Sequence, residues 1–361
     1  MATSIAQFRP GRDDQEVLDL RAEVWGANHP HTTNAFYAWL FGDDSCGAAS
    51  GILVRRDEKL VCFAGLVPRL AQCKGKTIRV AHGLDFMASP NLHGLSGLYA
   101  FKLVKAWLDH AREIGYDFAA CYPNEQSIRL LISERLNWKI VASPNLLVLP
   151  TPSARFDETP VKFIPKELVN VGGKIAAALL LLVLPMARWQ EEIGPLDLDA
   201  DAAALDRLWQ HADQSKCQFS RNAKVLQWRY GRHPVYDYRM LCRRKPGGLR
   251  GFIVTTHRKV MGVECVLVVD GVWEADDMET PQALLSAVYA RARSEGIGIV
   301  GGLALKDTSF FTALTRARLI QVPAKLDPKP FHLVGFALSD AAKPYMAEGT
   351  WSTAWGDTDV V

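Results

Sequence analysis

The sequence has little that would tie the chain to a special environment. Its seven cysteines, Cys46, Cys62, Cys73, Cys121, Cys217, Cys242 and Cys265, are scattered, odd in number and include no Cys-x-x-Cys pair. A disulfide framework or a zinc site is therefore not expected, and a reducing, cytoplasmic compartment is. Charge of one sign is lacking as well: 42 basic against 39 acidic side chains leave +3, with no dense Lys/Arg block, which argues against nucleic acid as a partner. Residues 1–14 hold no apolar signal core, so secretion is not expected. The apolar run at 175–187 is broken by Pro185 and bounded by Lys174 and Arg188, whereas a membrane span needs about 20 residues. That run is expected to pack as a helix between domains, or against a second copy in a homo-oligomer; contact with a lipid surface is the lesser reading.

What is present reads as a soluble globular protein of 361 residues, 48% hydrophobic and 22% charged, long enough for two domains. A short strand at 5–9 precedes a helix opened by Asp13 and Asp14 and running to Val24, a polar break at 28–33, and an aromatic helix at 34–40. Strands at 50–56 and 59–70 form a hairpin around Asp57 and Glu58, and a third strand begins near Thr77.

The rest of the chain is organised around residues 80–124. A β-like run at 80–89 is closed by Pro90 and Asn91, and a loop at 93–99 carries Gly94 and Gly97. That loop feeds a helix whose Leu98, Phe101, Val104, Trp107, Leu108 and Ala111 recur at helical spacing. A second strand at 117–121 ends in Tyr122, Pro123 and Asn124, followed by a helix at 127–135 and an apolar run at 139–149. A helix start leaves its first N–H groups unpartnered and carries partial positive charge, and glycine lets an anion approach the backbone. Strand, glycine loop, helix, strand is thus a candidate phosphate site.

These residues resemble the GNAT superfamily of acyl-CoA-dependent N-acyltransferases. Gly97, Leu98 and Tyr99 look like the end of that family's pyrophosphate loop, and residues 123–127 look like its Asn element, with Gly94 standing where the family has Arg or Gln. The resemblance implies an α+β fold and acetyl-CoA or another acyl-CoA as co-substrate, with no metal. It further implies that Phe86, Met87 and Ala88 line the pantetheine arm, that Gly94, Leu95, Ser96, Gly97, Leu98 and Tyr99 hold the pyrophosphate, and that Asn124 and Ser127 lie by the thioester end. The expected domain spans residues 1–150.

A proline-marked linker, 151–196, contains the apolar run and leads to a second unit at 197–340, followed by a tail at 341–361. This unit has a helix at 202–212, strands near 236–243, 249–257 and 260–269, a helix at 281–294 and a strand at 297–305, which repeats the order of the first half. It is expected to be a second GNAT-like domain. Its connection at 274–281 has no glycine and four carboxylates, which would repel a phosphate. A degenerate second domain on the acceptor side is therefore expected. The tandem resembles two-domain acyltransferases and peptidoglycan aminoacyl transferases.

The implied chemistry is attack of an amine on a thioester, which needs a base, oxyanion donors and an acid for the thiolate. His82 and Asp85 on the strand, and Glu125 after Asn124, are the candidate bases or amine ligands; each also has a plain structural reading. The family's tyrosine acid, seven residues after the Asn, is replaced by Leu131, which leaves Tyr99, Tyr122 or a water as the acid, or a thiolate that departs unprotonated. In the second half Trp228, Arg229, Tyr230 and His233 are candidates for gripping an amino sugar or amino acid, or else core. The expected activity is N-acyl transfer to such a small amine. A GNAT-fold binding protein without turnover, or an aminoacyl-transferase-like enzyme, are the alternatives.

Overall fold

The computed structural model describes residues 2–42, 46–92, 94–154, 192–260, 262–323, 325, 327 and 330–358. The first half runs β1 (Thr3–Gln7), α1 (Asp14–Trp25), α2 (Asn34–Gly42), β2 (Ser50–Arg56), β3 (Lys59–Cys73), β4 (Lys76–Ala88), α3 (Ser96–Glu113), β5 (Phe118–Cys121), α4 (Glu125–Leu131), β6 (Lys139–Ala142) and β7 (Asn145–Pro150). The second runs β8 (Ile193–Pro195), α5 (Ala202–His211), β9 (Gln218–Phe219), α6 (Ala223–Leu226), β10 (Tyr238–Lys245), β11 (Gly248–Val260) and β12 (Val263–Trp273). It closes with α7 (Glu279–Ser294), β13 (Ile299–Ala304), α8 (Ser309–Arg316), β14 (Ile320–Gln321) and β15 (Leu333–Ala337).

Among the described residues these strands form two mixed sheets flanked by helices, the α+β class. One orders β1, β2, β3, β4, β5, β15, β6, with β9 added beside β3; the other orders β14, β7, β13, β12, β11, β10, β8. Both are mostly antiparallel, with one parallel pair each, β4 with β5 and β12 with β13. Each parallel pair is joined through a long helix, as a crossover requires. The hairpins follow from their turns: Asp57 and Glu58 both lie at positive φ between β2 and β3, as do Lys74 and Gly75 between β3 and β4. Two such residues in a row match the twist of the flanking strands. Helix α3 buries Leu103, Val104, Trp107, Leu108 and Ala111 on the first sheet.

Neither sheet is built from one half alone. The apolar run 139–149 is interrupted at Ser143 and Pro144, and its two pieces go to different sheets: β6 stays in the first, while β7 pairs with β13 and β14 of the second. Pro144 has no N–H to continue a ladder. In return β15 enters the first sheet between β5 and β6. A division at residue 150 therefore does not separate the two sheets. The residues read as a tail also fold back: Gly349 N–H donates to Val141 O at 2.9 Å, Cys217 N–H to Thr350 O at 2.9 Å and Ser352 N–H to Cys217 O at 2.7 Å. Trp351, fully buried, stacks on Phe118 at 5.0 Å and contacts Phe219 at 5.4 Å.

The run at 175–187, with the helix and oligomer contact expected of it, lies outside the described residues. Among the described residues no helix is long and apolar enough to cross a membrane.

Candidate active site

The pairing of β4 with β5 is short. It comprises Val80 with Phe118, Ala81 with Ala119 and His82 with Ala120, and stops there, although β4 runs on to Ala88. Two features enforce the parting. Pro123 lacks an N–H and ends β5, and β4 carries a bulge: Phe63 and Gly65 of β3 face Met87 and Leu84, so β4 has one extra residue at Asp85 and Phe86. Asp85 sits there at φ +51°, a conformation that Asp tolerates better than most residues. Beyond His82 the two strands thus leave a slot whose edges carry backbone groups not paired with each other.

Side-chain alternation sorts the slot's two faces. Ala81, Ala119 and Cys121 face the α3 core, with Phe86 and Ala88 packed against the same cluster, Phe86 against Trp107 at 5.5 Å. Met87 packs on the opposite side with α1 and α2. His82 and Tyr122 point away from α3 toward Phe219, with ring centroids 6.1 Å apart for His82 and Tyr122 and 5.6 Å for His82 and Phe219. His82 is 2% exposed. Burial, then the charges of Arg69 and Arg229, hold its imidazole well below its usual pKa and hence neutral. Burial, reinforced by Asp357, pushes the Tyr122 phenol well above its usual value.

The other sequence-derived candidates are engaged elsewhere. Asp85 meets Arg21 of α1 at 3.3 Å, with side-chain exposures of 3% and 0%. The Arg21 guanidinium also lies over the rings of Trp25, Phe36 and Tyr37 at 5.1, 5.2 and 5.9 Å. Asn124 caps α4: its Oδ1 accepts from Gln126 N–H at 3.1 Å and Ser127 N–H at 2.8 Å. Glu125 is exposed in the first turn of α4, and Ser127 is half-buried. The helix ends at Leu131 rather than near 135, because Ile132 and Ser133 turn the chain back and Asn137 adopts φ +55°.

Beyond the C-terminal end of β4, α3 starts at Ser96 with Leu95 before it offering no side-chain cap. Gly94 has φ +81°, while Gly97 is ordinary helix, and a Cβ added at either would meet nothing within 4 Å. Among the described residues, then, no contact demands glycine at 97. Leu95 and Leu98 are exposed beside it, while Tyr99 is buried against the α3 core with its hydroxyl 3.4 Å from Thr3 Oγ1.

No protein-family model matches the sequence, and no curated protein is significantly similar to it. Solved structures are similar in fold. A GCN5-related N-acetyltransferase from Anabaena variabilis is 10% identical, with a TM-score of 0.59 over 93% of this chain and 73% of that one. A conserved protein of Enterococcus faecalis described as a probable N-acyltransferase is 12% identical, with a TM-score of 0.61 over 98% and 85%. N-myristoyltransferase of Saccharomyces cerevisiae with bound myristoyl-CoA is 12% identical, with a TM-score of 0.59 over 92% and 82%. The chain has the GNAT fold.

Within the tandem GNAT architecture the second half offers a different helix start. Asp277 caps α7, accepting from Thr280 N–H at 2.9 Å and Thr280 Oγ1 at 2.7 Å. Arg250 pairs with Glu274 at 2.5 Å, and Glu279 with Arg243 at 3.0 Å and Lys245 at 2.7 Å. An open cleft of about 640 Å³ lies here, lined by His211, Lys245, Arg250 and residues 274–279. Its cations are matched by its own carboxylates, so an anion gains little from it.

Of the residues proposed to meet an acceptor, Trp228, Arg229 and Tyr230 are buried. Trp228 stacks on Trp39 of α2 at 5.1 Å, each indole donating to the other residue's carbonyl. Arg229 donates to the carbonyls of Gly356 and Thr358, and Tyr230 to Asp270 at 2.7 Å. His233 instead joins a cluster from both halves, stacked on Tyr236 at 4.8 Å and lying 4.2 Å from Trp39, while His31 Nε2 lies 3.0 Å from Tyr236 Oη. Burial and neighbouring positive charge lower His233 to about 3 and His31 to about 4. Missed at the sequence level were Arg69, Arg221, Asp270 and Asp357, which form a buried ionic network at the junction: Arg221 meets Asp270 at 3.2 Å and Asp357 at 2.7 Å, and Arg69 meets Asp357 at 3.9 Å. Their sequence spacing carries no signal, since the pairs are joined only by the fold.

Proposed function

We propose that the protein is an acyl-CoA-dependent N-acyltransferase that moves an acetyl or other acyl group to the amine of a small acceptor such as an amino sugar or amino acid. One observation carries this reading: β4 and β5 part just past His82, and the helix that follows β4 opens at glycines where a Cβ would meet nothing. A thin arm carrying amides can pair with the free strand edges, and its pyrophosphate can rest on the start of α3. Phe86, Met87 and Ala88 would line the arm, with Asn124 and Ser127 across from them. Gly94, Leu95, Ser96, Gly97, Leu98 and Tyr99 would surround the pyrophosphate. The matched carboxylates at α7 support one such site per chain, in the first half.

Among the candidate bases, His82 is the one that is neutral, buried and turned toward the junction of the halves. Asp85 would act at one remove, by keeping the bulge in shape, and Glu125 would meet the acceptor only from the surface. The amine would enter from the side of Phe219 and the His31, His233 and Tyr236 cluster. The yeast structure carries myristoyl-CoA, so both short and long donors belong in the assay. The experiment is release of free thiol from acetyl-CoA and myristoyl-CoA in the presence of a panel of amines. Amine-dependent release supports the reading; donor binding without release would favour a GNAT-fold binding protein, for which the structural employment of Asp85 and Asn124 speaks.

A further inference from the structure

We infer that His82 and Tyr122 form the acid–base couple of the transfer, with the Thr353 hydroxyl of the C-terminal segment beside the phenol. The inference rests on the acyl-transfer reading above and assigns Tyr122 the part that Leu131 cannot play. Because His82 faces Ala120 across the parallel pair, alternation returns Tyr122, two residues on, to the face of β5 that matches His82 on β4. The two side chains therefore flank the slot at the point where the strands separate. Tyr99 is not on this face: it packs in the α3 core, as does Leu131.

Three polar atoms meet this junction without a partner among the described residues: His82 Nε2, Tyr122 Oη and Thr353 Oγ1. His82 and Thr353 are each only 2% exposed. Thr353 stands beside the Tyr122 phenol without a well-formed hydrogen bond. Buried polar groups are satisfied in the great majority of cases, and one left alone costs about 1–3 kcal/mol. Three together, around the end of a slot, fit a site whose partner is a reacting molecule. Their protonation states suit the two roles, because a base must begin unprotonated and an acid protonated. Burial with Arg69 and Arg229 nearby keeps the imidazole neutral, and burial with Asp357 nearby keeps the phenol protonated.

The step balances within the couple. The lone pair of a deprotonated amine bonds to the thioester carbonyl carbon, and the nitrogen's surplus proton passes to His82 Nε2. The C–S bond then breaks with its electron pair going to sulfur, which takes the proton of Tyr122. Return of the imidazolium proton to the phenolate, directly or through the Thr353 hydroxyl, leaves both groups as they began.

Tyr122→Phe in the full chain is the test, with acetyl-CoA and myristoyl-CoA as donors and thiol release as the readout. Among the described residues the hydroxyl makes no well-formed hydrogen bond, so the variant should melt close to the wild-type temperature and bind either donor unchanged, while thiol release falls on the order of 10²-fold or more. His82→Gln supplies the second arm: it should lower the rate comparably and remove the acidic limb of the rate–pH profile. Wild-type rates in Tyr122→Phe overturn the couple, as does a melting temperature lowered by several degrees with the rate lost in proportion. If the wild-type chain itself releases no thiol from either donor with any amine, the transfer reading falls and the couple with it; if it does and Tyr122→Phe matches it, only the couple falls.

Discussion

Asp85→Asn separates a structural carboxylate from a chemical one with little disturbance elsewhere. Asn tolerates the positive φ of the β4 bulge about as well as Asp, so the backbone is kept and only the charge is removed. What remains is the Arg21 guanidinium, wholly buried, facing an amide at the position of a carboxylate 3.3 Å away. Removing one partner of a buried ion pair costs about 3–5 kcal/mol, because the other charge stays desolvated. The rings of Trp25, Phe36 and Tyr37 over Arg21 recover part of that, since a desolvated cation–π contact is worth up to about 2 kcal/mol. The expected loss is therefore near the lower figure, about 3 kcal/mol. At roughly 2–4 °C per kcal/mol for a cooperative unit of about 150–250 residues, that lowers Tm by about 6–12 °C. Urea unfolding of Asp85→Asn and of the double variant Arg21→Met with Asp85→Asn measures it. The double variant should regain much of the loss, because Arg21→Met removes the buried charge that Asp85→Asn leaves unpaired. A loss below about 1 kcal/mol in Asp85→Asn would refute the reasoning. So would a collapse of turnover per folded molecule at unchanged stability, which would make Asp85 a group of the chemistry.

Asn124 can be divided in the same way. Asn124→Ala should cost about 1 kcal/mol through the lost cap of α4, whereas Asn124→Asp keeps the cap and should hold Tm while losing rate if the amide N–H₂ serves the thioester; an Asp variant with full activity leaves Asn124 a cap alone. Acidification should destabilise the fold. His31 and His233 titrate at about 4 and about 3 when folded, below an unfolded His, so between those values and about 6.5 the unfolded chain binds more protons and stability falls as pH falls. Melting curves from pH 7.5 to 4.5 should show a falling Tm, with a shallower slope in His233→Gln; a flat or rising Tm would contradict the assigned burial of these rings.

Much of the first half was legible because its signals are local. Alternation, helical spacing and the Asp57–Glu58 turn are properties of neighbouring residues, and the strand, glycine loop, helix order at 80–121 is observed in the structure. What was not legible depends on contacts far apart in the chain. The insertion of β15 between β5 and β6, the departure of β7 into the second sheet, and the burial of Trp351 and Asp357 from a stretch read as a tail all rest on long-range partners. The aromatic stretch around Trp228 illustrates the limit: its composition fits a ligand-binding face or a core equally well, and only the stacked Trp39 on α2 decides that Trp228 packs between the halves. For the site, alternation already put Tyr122 in phase with His82 once the parallel register was known. That register was the missing piece.

Acyl-CoA bound in the first half's slot would set its pyrophosphate at the start of α3. Calorimetric titration of the full chain with acetyl-CoA and myristoyl-CoA, repeated on Gly97→Asp, tests it most directly. A Cβ at residue 97 meets only open space and its φ is ordinary helix, so the variant should fold as the wild type while its carboxylate repels the pyrophosphate. One molecule should bind per chain for at least one donor, and that binding should be lost in a Gly97→Asp protein of unchanged melting temperature. Two equivalent sites, or undiminished affinity in Gly97→Asp, would contradict it.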